Sequence, residues 1–90
     1  MTFDSKREAE RYLFLRSEQL AGRISDLKCQ VPFTLLPPKG KERAVKYIAD
    51  FTYVRDGKLV VEDSKGFKTD VYRLKRKLML YIHGIEIQET

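Results

Sequence analysis

Apolar and polar residues follow a strand-like pattern in two neighbouring stretches in the second half of the chain, at about 43–53 and 58–63. Both stretches are rich in Val, Ile, Tyr, Phe and Thr, and the short segment Arg55-Asp56-Gly57-Lys58 joins them. Asp-Gly is typical of the two-residue turn that connects antiparallel strands. The pattern therefore predicts a β-hairpin in which Arg55 faces Lys58.

Counting outward from this turn places Asp50 directly opposite Asp63. Opposed side chains in an antiparallel pair lie about 5 Å apart at Cβ, and like charges at that distance destabilise the sheet. Lys65 follows Asp63 by two residues, so strand alternation places it on the same face. The simplest interpretation is an exposed acidic pair bridged by a lysine, but the flanking residues are apolar enough to bury it. The hairpin is therefore the predicted site of chemistry.

Two helices are predicted on either side of the strands. Ser5 and Glu8 have the spacing of a capping box before a helix at 6–21, which Gly22 ends. Thr69 can cap a second helix at 70–83, and Gly84 closes it. Each helix has apolar or small residues along one side. In the first these are Ala9, Tyr12, Leu13, Leu15 and Leu20, and in the second a predicted buried stripe of Val71, Leu74, Leu78, Tyr81 and Ile82.

The remaining strand-like segments lie at 24–36 and 85–88. Pro32 interrupts the first, which favours an edge position or a bulge because proline cannot donate a ladder hydrogen bond. The element order is then α-β-β-β-α-β. Ninety residues support a single domain, since half that length would bury too little surface to fold alone.

The charge distribution indicates a polyanionic partner. The formal net charge is +5, and Arg73, Lys75, Arg76 and Lys77 form a cluster on the second predicted helix. No apolar run is long enough for a membrane span, and charges occupy the place of a signal peptide's apolar region. These observations predict a cytosolic protein. Cys29 is the only cysteine and is predicted to be a core residue.

Four segments in this order, FDSKREAERY, YIADFTYV, VVEDSKG and TDVYRLKRKL, resemble a family of small phage and prophage endonucleases. More broadly, Ala49-Asp50, Asp63-Ser64-Lys65 and the helical Glu8 resemble the motif of the PD-(D/E)XK nuclease superfamily. Ala49 stands where the name-giving proline would be, at a position that varies in the superfamily. The resemblance implies an α+β fold, a mixed four-stranded sheet flanked by two helices, in one domain over residues 1–90. It also implies a phage or prophage protein acting in the cytoplasm of a bacterial host.

The resemblance implies metal-dependent phosphodiester hydrolysis. Asp50, Asp63 and the main-chain carbonyl of Ser64 would hold Mg²⁺, with Mn²⁺ able to substitute, and Glu8 would contribute directly or through water. Lys65 would orient or deprotonate the attacking water. Glu8 has an alternative role as the capping partner of Ser5, and the number of metal ions stays open. Glu62 is expected to be structural or solvent-facing, and His83 a cap or surface residue.

The second helix would contact DNA through its first turns, where its N-terminus favours an anion. The candidates are Lys68, Thr69, Tyr72, Lys75 and Arg76, with Arg73 and Lys77 less central. A charged helix face can also be merely solvated.

The leading hypothesis is a Mg²⁺-dependent DNA endonuclease acting on branched DNA or Holliday junctions, as a homodimer if it resolves junctions. The alternatives are a non-catalytic nucleic-acid-binding module of the same fold, and a structural or accessory phage protein.

Overall fold

The computed structural model describes residue 3, residues 5–64 and residues 67–90. Its elements follow the predicted α-β-β-β-α-β order. The helices are α1 (Lys6–Leu20) and α2 (Asp70–His83). The strands are β1 (Ser25–Leu36), β2 (Val45–Arg55), β3 (Lys58–Asp63) and β4 (Gln88–Glu89). The predicted α+β class is confirmed, and the strand bounds differ from the predicted ones by a few residues, most of all in β4, whose predicted range is 85–88.

The sheet is mixed, with the strand order β1-β2-β3-β4. The first two pairs are antiparallel, whereas β4 runs parallel to β3. Pro32 lies in β1, an edge strand, as its missing amide donor predicts. Both helices begin where expected, because Ser5 accepts a hydrogen bond from the amide of Glu8 and Thr69 accepts one from the amide of Tyr72.

The two helices cover opposite faces of β3. Val60 packs with the cluster under α1, while its neighbour Val61 belongs to the cluster under α2. Consecutive strand residues point to opposite faces, so the two clusters lie on either side of the sheet. The α1 cluster is built on Leu15, Ile24, Phe51 and Tyr53, and the α2 cluster on Leu35, Tyr47, Ala49, Val61, Tyr72, Met79 and Ile87.

The buried helix faces differ from the predicted ones. In α1 only Leu15 of the expected apolar side is fully buried, whereas Leu13 and Leu20 are exposed. In α2 the buried residues are Tyr72 and Met79. The predicted stripe is turned outward: its members Val71, Leu74, Tyr81 and Ile82 are exposed, and Leu78 is half-buried.

The structure also bears on the predictions for Cys29, for His83 and for a membrane span. Cys29 is half-buried against the α1 cluster, so its predicted core position is only partly correct. His83 is exposed at the end of α2, as expected, and its Nε2 lies 2.8 Å from the carbonyl oxygen of Thr34. Since a carbonyl only accepts, His83 donates this bond from Nε2. No helix within the described ranges is long and apolar enough to cross a membrane.

Candidate functional site

The hairpin turn sets the register that the sequence predicts. Asp56 and Gly57 both have positive φ, 53° and 75°, as a type I′ turn requires. Pairing runs from Arg55 opposite Lys58 to Phe51 opposite Glu62. The next step of this register places Asp50 opposite Asp63, and the backbone amide of Ser64 donates to Oδ2 of Asp50 at 2.9 Å. The register therefore places two carboxylates on facing positions, one within β2 and one at the end of β3.

Both carboxylates are buried, and each is held by a donor. Asp63 is fully buried, and the hydroxyl of Tyr47 donates to its Oδ2 at 2.5 Å. Burial raises the pKa of the Tyr47 phenol well above its usual range, and the hydrogen bond to Asp63 raises it further. Tyr47 thus stays protonated and acts as a permanent donor to Asp63. No signal in the sequence points to this contact, because Tyr47 has the pattern of an ordinary strand residue.

Glu8 approaches the same region from α1. Its backbone amide completes the Ser5 cap, while its buried side chain accepts a hydrogen bond from Nε2 of Gln30 at 2.9 Å. The capping and site interpretations of Glu8 are therefore compatible, since the backbone serves one and the carboxylate is directed to β1. Burial raises the pKa of the Cys29 thiol, and the charges of Glu8 and Asp50 raise it further, so both carboxylates lie within electrostatic reach of one thiol.

Gln30 is a site residue that sequence reasoning misses. It lies in β1 between Cys29, which pairs with Phe51, and Val31, which pairs with Ala49, so it stands opposite Asp50. Its φ of 55° is unusual for a strand residue that is not glycine. A positive φ within a strand depends on the tertiary environment, and the residue letters carry no signal for it.

The strand β2 changes face at Asp50. Ala49 packs in the α2 cluster, but Phe51, two residues later, packs in the α1 cluster. Residues two apart in a regular strand share a face, so the strand must turn between them, opposite the irregular Gln30. Asp50 consequently lies where the two clusters meet.

Glu62 occupies the other face of β3, as strand alternation predicts. Arg11 donates to both of its carboxylate oxygens, at 2.8 and 2.7 Å, and the hydroxyl of Tyr53 donates to Oε2. Burial, reinforced by this hydrogen bond, raises the pKa of Tyr53 to about 12. The expectation of a structural role is consistent with this network, but the solvent-facing alternative is wrong because Glu62 is fully buried. The ion pair of Arg11 and Glu62 joins α1 to β3, and Arg11 lies one helical turn after Glu8 in α1.

The C-terminal residues close the opposite edge of the site. The amide of Thr90 donates to the carbonyl of Asp63 at 3.0 Å, and the hydroxyls of Thr90 and Ser64 lie 2.9 Å apart. Glu89 forms ion pairs with Arg76 at 3.1 Å and Lys68 at 3.9 Å. Lys68 and Arg76, both expected to contact DNA, therefore already have an acidic partner within the chain.

A groove of about 270 Å³ lies beside Tyr47 and the start of α2. It is lined by Lys46, Tyr47, Ile48, Thr69, Val71, Tyr72 and Lys75. Of the two cations considered for this side of α2, Lys75 rather than Arg76 lines the groove. Tyr72 is largely buried at the groove wall. Burial raises the pKa of its phenol well above its usual range, and a hydrogen bond to Glu89 and the charge of Asp63 raise it further. Lys46 is an additional cation that the sequence does not single out.

The donor set suits a hard divalent cation. Mg²⁺ is usually bound by one or two carboxylates, with water or phosphate oxygens completing its octahedron, and Asp50 and Asp63 supply such a pair. Among the residues that the structure describes, no group of three or more His, Cys, Asp or Glu side chains is arranged to hold a metal ion. Lys65, the predicted water-orienting residue, lies outside the described residues.

Comparison with known proteins identifies a family but no activity. Residues 1–88 match the model of a family described as a protein of unknown function, DUF1064. No curated protein and no solved structure matches the chain. Whatever function is assigned must therefore be inferred from the residues themselves.

Proposed function

Because the chain belongs to the DUF1064 family, whose function is unknown, we propose from its own residues that it is a metal-dependent DNA endonuclease. One observation supports the proposal: the hairpin register places Asp50, within β2, opposite Asp63 at the end of β3, and both side chains are buried. Two buried carboxylates on facing strand positions are costly without a cation. In a purely structural protein, apolar residues would fill the same positions at lower cost.

Each residue of the site has a distinct task in this proposal. Asp50 and Asp63 would hold the cation, and the carbonyl of Ser64 follows directly in the chain. The Ser64 amide orients Asp50, and Tyr47 orients Asp63. Mg²⁺ bound there would supply Lewis-acid polarisation of a phosphate and a more acidic water. Glu8 would contribute to the metal site from the α1 side, directly or through water, and Gln30 donates a hydrogen bond to its Oε1.

Lys65 and the groove complete the set. Lys65, which lies outside the described residues, follows Ser64 in the sequence, and by the resemblance its ammonium would orient the attacking water. The groove beside Tyr47 offers Lys46 and Lys75 to a DNA backbone. Cations spaced along a groove bind DNA phosphates and do not distinguish base sequence. We therefore propose that the protein recognises its substrate by the shape of the DNA. Branched DNA, including four-way junctions, is the substrate we propose.

A non-catalytic DNA-binding module is the second candidate. The observation that favours it is that the described residues contain no ready-made group of three metal-binding side chains. A site completed by water and phosphate meets the requirement of Mg²⁺, and for this reason the nuclease is preferred.

The experiment compares linear, nicked, flapped and four-way DNA of one sequence, labelled on each strand in turn. We expect cleavage with Mg²⁺ or Mn²⁺, none in EDTA, and faster cleavage of branched than of linear DNA. Salt-sensitive DNA binding without cleavage in either metal would support the binding module instead. Absence of both binding and cleavage would overturn both candidates.

A matched pair of tyrosines tests whether Tyr47 positions a metal ligand. Tyr47→Phe removes the donor to Asp63, and Tyr53→Phe removes the equivalent donor to Glu62 on the opposite face. Loss of an outer-sphere partner of a metal ligand typically costs about 10- to 100-fold in affinity or activity. We therefore expect Tyr47→Phe to weaken Mg²⁺ binding and cleavage by that factor, as measured by calorimetry and gel assay.

Tyr53→Phe is the control, because its acceptor Glu62 lies away from the site. It should lower the free energy of unfolding by about 1.5–3 kcal/mol, the contribution of one hydrogen bond to a charged group, since Arg11 still donates to both oxygens of Glu62. The metal affinity of the folded protein should stay unchanged. Equal loss of metal affinity in both variants would contradict the assigned role of Tyr47.

A further inference from the structure

One face of α2 is apolar and largely exposed. The exposed fractions are 63% for Val71, 58% for Leu74 and 86% for Tyr81, and Leu78 between them is only half-buried. The four residues are spaced three, four and three apart, so they form one continuous stripe along the helix. We call this stripe the α2 seam. Leu78 also packs against the α2 cluster and Val71 lines the groove beside Tyr47, but most of the seam is exposed.

Exposure of this seam is unfavourable in water. Apolar surface costs about 25 cal/mol for each Å² left exposed, and soluble monomers rarely carry large contiguous apolar patches without a use for them. The fold does not require the seam, since α2 is anchored by Tyr72 and Met79 on another side. Ile82, next to the seam, is 46% exposed and enlarges the patch. The seam is therefore better explained by a partner than by the packing of one chain.

The spacing of the seam fits a second copy of the same helix. A three-four-three spacing is identical when followed from either end. Two antiparallel copies of α2 would consequently place Val71 against Tyr81 and Leu74 against Leu78, in both directions. This is the self-complementary contact that a two-fold axis requires, and alternating steps of three and four form the seam of paired helices. Antiparallel packing also opposes the two helix dipoles favourably.

We propose that the α2 seam is a two-fold interface between two copies of this chain. The proposal does not depend on the nuclease assignment. The seam can bury on the order of 1,000 Å² in total, near the lower limit for specific interfaces. The dimer is therefore weak and depends on protein concentration.

The charges beside the seam predict an unusual salt dependence. Lys75 and Lys77 flank it, and a two-fold axis near the helix centre brings each close to its own counterpart. Added salt screens this repulsion and strengthens apolar burial. Dimerisation should thus tighten as salt rises, whereas DNA binding weakens.

Sedimentation velocity of the full chain over a wide concentration range tests the interface. Wild type should shift from monomer to dimer, more readily at high salt. Leu74→Gln and Tyr81→Gln should each raise the dissociation constant at least about tenfold. Leu20→Gln, on α1 and 81% exposed, is the control that should leave the constant unchanged. Circular dichroism should show all variants folded, because each altered side chain is exposed.

Cross-linking tests the antiparallel arrangement. In a Cys29→Ala background, chains carrying Val71→Cys should form disulfides with chains carrying Tyr81→Cys. Val71→Cys alone should not, because the two copies of residue 71 would lie about 15 Å apart along the helices. Faster linking of Val71→Cys to itself would overturn the antiparallel interface. A monomer at every concentration, a dimer insensitive to both Gln variants, or binding to anionic vesicles without self-association would overturn the interface itself.

Discussion

Replacement of Asp63 by Asn is expected to abolish DNA cleavage while the protein stays folded. Asn keeps the shape of the side chain and offers a carbonyl to the Tyr47 hydroxyl, which donates to Asp63 in the native protein. The charge that would hold the proposed cation is lost, however. A metal ion contributes several kcal/mol of charge stabilisation to phosphate chemistry, so cleavage should fall by about 1,000-fold or more. Gel assays of cleavage and calorimetry with Mg²⁺ measure the two losses.

Asp56→Asn is the matched control at the other end of the same hairpin. Asp56 is an exposed turn residue with φ of 53°, a conformation that Asn also accepts. This variant should cleave DNA and bind Mg²⁺ like wild type. Lys65→Ala separates the roles further, since it should retain Mg²⁺ binding and lose cleavage. Cleavage by Asp63→Asn within about tenfold of wild type would remove Asp63 from the proposed site.

Insertion of one residue into the Asp56-Gly57 turn is expected to remove metal binding and cleavage together if the pairing of β2 and β3 shifts. A slip of one residue turns every side chain of a strand to its opposite face. Asp63 would then leave the face of Tyr47, and Glu62 would leave its partner Arg11. Cross-strand nuclear Overhauser effects between Phe51 and residue 62 report the register, and cleavage assays report the site.

A two-residue insertion at the same place is the control, because it preserves the alternation and lengthens only the loop. It should retain the pairing, the Mg²⁺ affinity and most of the activity. If the single insertion is absorbed as a bulge within the turn, the Phe51–Glu62 pairing and the cleavage should both survive. A variant with shifted pairing that still cleaves DNA would contradict the dependence of the site on register.

Local signals in the sequence are sufficient for the hairpin and the helix ends. The Asp56-Gly57 turn needs only two residues with positive φ, and it determines all later pairs by counting. Ser5 and Thr69 cap helices through hydrogen bonds three residues away. Both kinds of interaction join residues that are close in sequence, so the local sequence is sufficient to predict them. For this reason the opposition of the two aspartates follows from the residue letters and the turn alone.

The orientation of α2 cannot be found in the same way. Its sequence has two apolar sets, the seam of Val71, Leu74, Leu78 and Tyr81 and the pair Tyr72 and Met79. The seam has the more regular spacing, which predicts burial, but the structure buries Tyr72 and Met79. Periodicity identifies which faces of a helix are apolar. It does not predict which of these faces packs against the sheet and Ile87. An exposed seam is also what an interface between chains would leave in a single chain.

The sequence by itself thus determined the order of the elements, the hairpin register and the opposition of Asp50 and Asp63. Tertiary structure alone decided which side chains hydrogen-bond to the buried carboxylates. Tyr47 is 16 residues from Asp63, Gln30 is 22 from Glu8, and Arg11 is 51 from Glu62. Such contacts depend on the twist of β2 at Asp50 and on how closely α1 packs against the sheet. These are properties of the assembled core, and no short segment of the chain specifies them.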